Sequence, residues 1–185
     1  MASVLIAYHS LEGQTAKIAE RLKISLLSRR RTVAVVKIGP RQNEGISPDY
    51  KGVILGASIH VGRHDPAVAA FIAEHKDRWQ DLPSAFFSVS LSAAGDEAGK
   101  AEADRYVAEL LEATAWRPNL QVTFAGALAY RKYGWLKRWF MKRLAKETGK
   151  DTDSRWDHEY TDWQAVARFA AEFDQLLAPV GDPAA

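Results

Sequence analysis

The stretch Leu5–Leu22, LIAYHSLEGQTAKIAERL, decides the fold. It opens as a short apolar run, crosses a loop of hydroxyls, amide and glycine, and turns helical within a few residues. An apolar run of that length bounded by turn residues reads as a buried strand over Val4–Tyr8, and the periodic stretch Thr15–Leu27 as a helix packed on it. Working outward, runs rich in β-branched or aromatic residues lie at Thr32–Ile38, Gly52–Ala57, Ser84–Val89 and Gln121–Ala127. Helical periodicity covers Pro66–Trp79, Lys100–Ala115 and Asp162–Leu177. Parallel neighbours need a crossover of about a dozen residues, so the alternation predicts a parallel sheet with helices on both faces. Five strands suit an α/β doubly wound sheet of order 2-1-3-4-5.

Ligands bind such sheets at the carboxyl ends of the strands, which is where Ser10-Leu11-Glu12-Gly13-Gln14-Thr15 stands, entering the first helix. The start of a helix offers unpaired N–H groups and a partial positive charge, Gly13 permits a tight turn, and Ser10 and Thr15 add hydroxyls. No Lys or Arg precedes Lys17, so a phosphate there would be held by neutral dipoles. The plainer reading is a capping box with Ser10 or Thr15 as N-cap. Two further loops, GASIHVGRHDP (56–66) and SVSLSAAGDEAG (88–99), leave strand ends on the same side and begin with small and hydroxyl residues. They leave room for a flat ring whose edge the backbone can hydrogen-bond. One loop for phosphate and two for a planar heterocycle are what flavin mononucleotide (FMN) requires. There is neither G-x-G-x-x-G nor a Walker A loop.

These segments carry a resemblance. SLEGQT is similar to the phosphate loop of flavodoxins. GASIHVGRH, PSAFFSVSL, WRP, AGALAYRKYGW and YTDW, in that order, resemble the flavodoxin-like, menaquinone-dependent protoporphyrinogen IX dehydrogenases of bacteria. The similarity runs from about Val4 to about Ala171. It implies an FMN enzyme that oxidises protoporphyrinogen IX to protoporphyrin IX in haem biosynthesis and passes electrons to menaquinone or ubiquinone. By position, Ser10, Leu11, Glu12, Gly13, Gln14 and Thr15 would hold the phosphate. Ser58, Ile59, His60 and Gly62, with Ser88, Val89, Ser90 and Leu91, would flank the isoalloxazine. Neither ring loop supplies Tyr, Trp or Phe at those positions, so the flavin face is left open for substrate or covered by the insertion between the fifth strand and the last helix. His60 is the candidate for a nearby base, against the plainer reading of a passive ring contact.

Composition narrows the chemistry. The 185 residues include no cysteine, which removes thiolate nucleophiles, disulfides, iron–sulfur clusters and Cys-based zinc sites, so redox work needs a cofactor. His60, His64 and Asp65 sit in a loop without helical alignment or a supporting Cys/His cluster, and no metal is expected. GASIH is not G-x-S-x-G, so Ser58 is not a hydrolase nucleophile. His9 and His75 read as structural or exposed. Thr161 or Asp162 caps the last helix, with Trp163 packing. The N-terminus lacks a basic region and a long apolar run, so an intracellular protein without a signal peptide or membrane span is expected.

The formal net charge is +2, unevenly spread. Arg131–Lys146 holds seven basic residues and no acid, leaving 18 basic against 23 acidic residues elsewhere. This basic run lies in an insertion, residues 128–160, that the alternation does not need. On a helical wheel Trp135, Leu136, Trp139, Phe140 and Leu144 share one half, Lys137 and Arg138 the other, and Arg143 falls inside the apolar arc with Lys142 at its edge. One reading is a helix packed on the domain with its cations in water. The other is an interfacial helix in which Trp135, Lys137, Arg138, Trp139, Lys142 and Arg143 meet an anionic membrane or the propionates of the substrate. The resemblance favours the second, with the chain peripheral to the cytoplasmic face of the inner membrane. Nucleic acid is not an expected partner, and the sequence does not specify an oligomeric state. Residues 1–178 are expected to form one flavodoxin-like domain with a frayed tail at 179–185. The competing functions are a flavodoxin-like electron carrier and an NAD(P)H:quinone reductase.

Overall fold

Strand β1 (Ser3–His9) alternates its apolar side chains between two cores, and the rest of the molecule is arranged around that division. The computed structural model describes residues 3–39, 49–128 and 158–177. Val4 and Ile6 face helix α1 (Gln14–Leu27), which presents Ile18, Ala19, Leu22 and Leu26 at helical spacing. Leu5 and Ala7 face the opposite layer. Strands β2 (Thr32–Lys37) and β3 (Gly52–His60) pair with β1 in parallel, one on each side. After β3 the chain doubles back through β4 (Arg63–His64) and enters α2 (Pro66–Trp79), which Asp65 caps by accepting a hydrogen bond from Ala67 N–H at 2.9 Å.

Strand β5 (Ser84–Ser90) is buried along its whole length, as a central parallel strand covered on both faces should be. A 3₁₀ turn (Ser92–Ala94), helix α3 (Glu97–Thr114) and strand β6 (Leu120–Ala125) complete the open sheet, in the order β2-β1-β3-β5-β6 with β4 off the path against β3. Counting the five long strands, this is the expected 2-1-3-4-5. Helix α4 (Trp163–Leu176) joins α1 on the first face through Val166, Phe169, Ala170 and Phe173, and α2 and α3 cover the second. Gly56, on β3, admits the Phe87 ring of β5, whose Cζ would collide with any Cβ placed there. Trp116 of the WRP motif is core: its ring lies 5.2 Å from that of Trp79.

Two boundaries differ from expectation by three residues, the others by no more than two. Helix α3 starts at Glu97 rather than Lys100, because Asp96 accepts from Gly99 N–H at 2.9 Å and fixes the first turn. Strand β3 continues to His60, because Ile59 and His60 pair antiparallel with His64 and Arg63, so Ser58, Ile59 and His60 belong to a strand rather than a loop. Beyond β6, a two-stranded ribbon joins β7 (Ala127–Leu128) to β8 (His158–Glu159), bringing the two ends of the expected insertion together.

Candidate functional site

The carboxyl ends of β1, β3 and β5 adjoin, and the segments leaving them enclose a cleft of about 340 Å³. One end is the loop after β1. Gly13 is the N-cap of α1 with φ of 100°, a left-handed conformation that costs glycine least. Neither Ser10 nor Thr15 caps the helix by its side chain. Ser10 Oγ instead accepts from Gly13 N–H at 3.0 Å, which closes the loop on itself. Thr15 Oγ1 is buried without a protein partner. A buried hydroxyl left so is costly, so the atom suits a ligand at the mouth of the helix. Gln14, also in the lining, donates from Nε2 to Thr161 Oγ1 at 2.8 Å, and Thr161 donates to Ala125 O at 2.7 Å. Leu11 and Glu12 project outward.

The other end is built on the β3–β4 hairpin. Val61 and Gly62 both have positive φ, 49° and 74°, as a two-residue type I′ turn requires. For a β-branched residue that conformation is strained. Ser58, Ile59, His60 and Gly62 line the cleft on this side, and Val89, Ser90 and Leu91 line it from the end of β5. Ser58 Oγ is a second buried hydroxyl with no protein partner. Ser88 is placed differently from the expectation: it sits a pleat deeper in β5, off the cleft, and its hydroxyl lies 3.0 Å from His64 Nε2. Burial pushes His64 down to about pKa 4, against a hydrogen bond with the Tyr106 backbone that pulls the other way. His60, His64 and Asp65 have separate surroundings, with His64 turned inward and Asp65 capping α2 at 3.8 Å from His9.

Sequence reasoning missed one wall. Glu102 and Tyr106, one turn apart on α3, line the cleft between the β3–β4 turn and the 3₁₀ turn. Ser92 donates to Glu102 Oε2 at 2.6 Å, and Tyr106 follows one helical turn on, with the Arg105 guanidinium 5.1 Å from its ring centre. Burial first, then Glu102, pushes the Tyr106 phenol up. The i, i+4 spacing was visible in the sequence, but nothing local said that this face of α3 meets the sheet end. Among the described residues no Lys or Arg lines the cleft.

This arrangement has known counterparts. The Flavodoxin domain family matches residues 5–155. The protein named protoporphyrinogen IX dehydrogenase (quinone) of Escherichia coli strain K12 is 36% identical over 172 residues, covering 93% of this chain and 94% of that one. The chain belongs to the flavodoxin-like protoporphyrinogen IX dehydrogenase family. A Leishmania major protein of the same name is 35% identical over 175 residues, covering 93% of this chain and 74% of that one. In fold, the dehydrogenase family chain resembles oxidised Flavodoxin 1 from Bacillus cereus, with TM-score 0.55, 18% identity and coverage of 96% of this chain and 100% of that one. An archaeal flavodoxin gives TM-score 0.52 at 15% identity, covering 94% and 96%.

The six residues expected at a membrane or substrate, Trp135, Lys137, Arg138, Trp139, Lys142 and Arg143, lie outside the described residues, as does the tail 179–185. Among the described residues no helix is long and apolar enough to cross a membrane.

Proposed function

We propose that the cleft holds FMN and that the chain oxidises protoporphyrinogen IX to protoporphyrin IX in haem biosynthesis, with a membrane quinone as electron acceptor. The observation that carries the cofactor is the pair of buried hydroxyls, Thr15 Oγ1 and Ser58 Oγ, one at each end of the cleft and neither with a protein partner. The first suits a phosphate oxygen and the second a ring edge. Family membership carries the reaction. When bound, the flavin supplies hydride acceptance, which no side chain here offers.

The chain's own residues do the rest. The N–H groups at the start of α1, the Ser10 hydroxyl and Thr15 would grip the phosphate with dipoles instead of a cation. Ser58 to Gly62 and Val89 to Leu91 would flank the ring. Leu11 (53% exposed) and Val61 (71% exposed) give the mouth an apolar rim, which suits a flat tetrapyrrole laid across it. The full oxidation removes six electrons and six protons, so the site must be reoxidised between successive two-electron steps. His60, lining the cleft, is our candidate to take a proton as hydride leaves the substrate.

We also propose menaquinone as the acceptor and the anionic cytoplasmic face of the inner membrane as the place of work. The seven basic residues of Arg131–Lys146, interleaved with aromatics, support this reading, at about 1 kcal/mol per cation near anionic lipid.

The test is anaerobic turnover of FMN-loaded protein with protoporphyrinogen IX and a menaquinone analogue, followed by porphyrin fluorescence. The expected result is sustained formation that stops without quinone. Bound flavin without porphyrin would overturn the dehydrogenase reading, and NADH oxidation in the control would replace it with a quinone reductase. Salt-sensitive co-sedimentation with phosphatidylglycerol vesicles checks the membrane.

A further inference from the structure

Thr161 joins the two ends of the cleft. It stands between the stem strand β8 and helix α4, is buried, and its hydroxyl makes two bonds. It donates to Ala125 O at 2.7 Å and accepts from Gln14 Nε2 at 2.8 Å. The direction of this chain is forced, because a carbonyl can only accept and the hydroxyl has one proton to give. The same logic fixes which end of the Gln14 amide meets Thr161, since only its nitrogen can donate. Ala125 ends β6 and pairs with Ser90, which lines the cleft where a ring would lie. Gln14 is the first residue of α1, is buried and lines the cleft beside Thr15. A second tie follows about one turn on: Lys17 pairs with Glu159 at 3.2 Å, and Glu159 accepts from Trp163 Nε1 at 2.7 Å. The start of α1 is thus fixed by residues more than a hundred positions away. That matters for an anion. The loop Ser10–Thr15 carries no cation, so a phosphate there would be held by dipoles, whose strength depends steeply on aim. Donors already aimed need no further ordering when the ligand arrives.

We propose that Thr161 is a positioning residue for the flavin phosphate: by locking Gln14 to the end of β6 it holds the first turn of α1 in place against the ring end, and the cleft thereby selects a phosphorylated flavin over one without phosphate. This rests on the FMN reading above. Thr161 is not in the lining itself and acts through Gln14.

The probes are FMN and riboflavin, titrated by flavin fluorescence quenching into ligand-free protein. Thr161→Val keeps the shape and removes the hydroxyl. It should weaken FMN binding about tenfold and leave riboflavin binding within about twofold. Thr161→Ser, which keeps the hydroxyl, should return most of the FMN affinity. Gln14→Met breaks the same bond from its other side and should show the same selective loss, which answers the question even if valine at 161 prevents folding. Asp162→Ala is the control: Asp162 caps α4, accepting from Gln164 and Ala165 N–H at 2.8 and 3.1 Å, and its loss should leave FMN affinity in place. Equal loss for FMN and riboflavin in Thr161→Val would overturn the inference, since the shape of the cleft and not the aim on the phosphate would then have changed. So would unchanged FMN affinity, a Thr161→Ser variant as weak as Thr161→Val, or an Asp162→Ala variant that loses FMN as Thr161→Val does. Each of these leaves the cofactor reading intact. Failure of the wild-type chain to bind FMN would overturn the cofactor reading and this inference together.

Discussion

The two ends of the cleft are made in opposite ways. The end proposed for the phosphate is one continuous loop in which the awkward backbone position is occupied by Gly13, the loop closes through its own Ser10, and the one charged residue is an outward Glu12. The ring end is assembled from β3, β4, β5 and α3. Val61 occupies a left-handed position that glycine or asparagine would take more easily, and the wall beside it holds a fixed carboxylate and a buried neutral histidine. The contrast fits the two tasks proposed for these ends. Binding a phosphate needs only donors at a helix start, whereas seating a flat ring needs walls brought together from distant parts of the chain.

The comparison breaks most visibly at the phosphate end. Ser10→Ala combined with Thr15→Ala removes two donors suited to a charged group, each worth about 1.5–3 kcal/mol, so FMN affinity should fall by about 100-fold or more in a fluorescence-quenching titration. Unchanged affinity would mean that the loop is not the phosphate site.

Acid should loosen the ring end selectively. His64 stays neutral in the folded chain down to about pH 4, whereas in the unfolded chain it protonates near 6.5. Below 6.5 the unfolded state therefore binds the extra proton. Its share of stability is complete above that pH and is lost as pH falls towards 4, by up to about 3 kcal/mol. His64→Gln keeps a polar partner for Ser88 and should lose less stability than wild type across this window in urea melts at pH 7 and 4.5. Parallel loss in the two proteins would show that His64 does not titrate as described.

The smallest effect should come from the turn. Val61→Asn relieves a β-branched residue at φ 49° in a type I′ position and should raise stability by about 1 kcal/mol, read as a higher denaturant midpoint. A destabilised variant would mean that the exposed side chain contributes more than its backbone strain costs.

The same contrast explains what the sequence disclosed. Strand and helix alternation was legible because burial on one or both faces writes a local period into the chain, and Ser10–Thr15 was legible because loop and helix start are contiguous. The ring end was less so. Val-Gly does not announce a hairpin as Asn-Gly does, so the extension of β3 through His60 went unforeseen. Ser88 and Ser90 share one face of β5 and differ only in depth, which decides that one meets His64 and the other the cleft. Glu102 and Tyr106 reach the site only because α3 packs across the sheet end, a tertiary fact no short window contains.

The ribbon β7–β8 makes the chain divisible. In the antiparallel register Ala127 pairs with Glu159 and Leu128 with His158. The stem is sewn down by Gly126 N–H to Ser90 O at 2.9 Å, Tyr160 N–H to Gly126 O at 3.1 Å and Thr161 to Ala125 O at 2.7 Å. The polypeptide thus leaves the sheet and returns to it at one place, as a hairpin does. The open-sheet pairings among the described residues all lie outside 129–157, so a splice that replaces this segment with a short turn tests whether they stand without it. Such a splice would separate what the flavin-binding body does from what the excised segment adds.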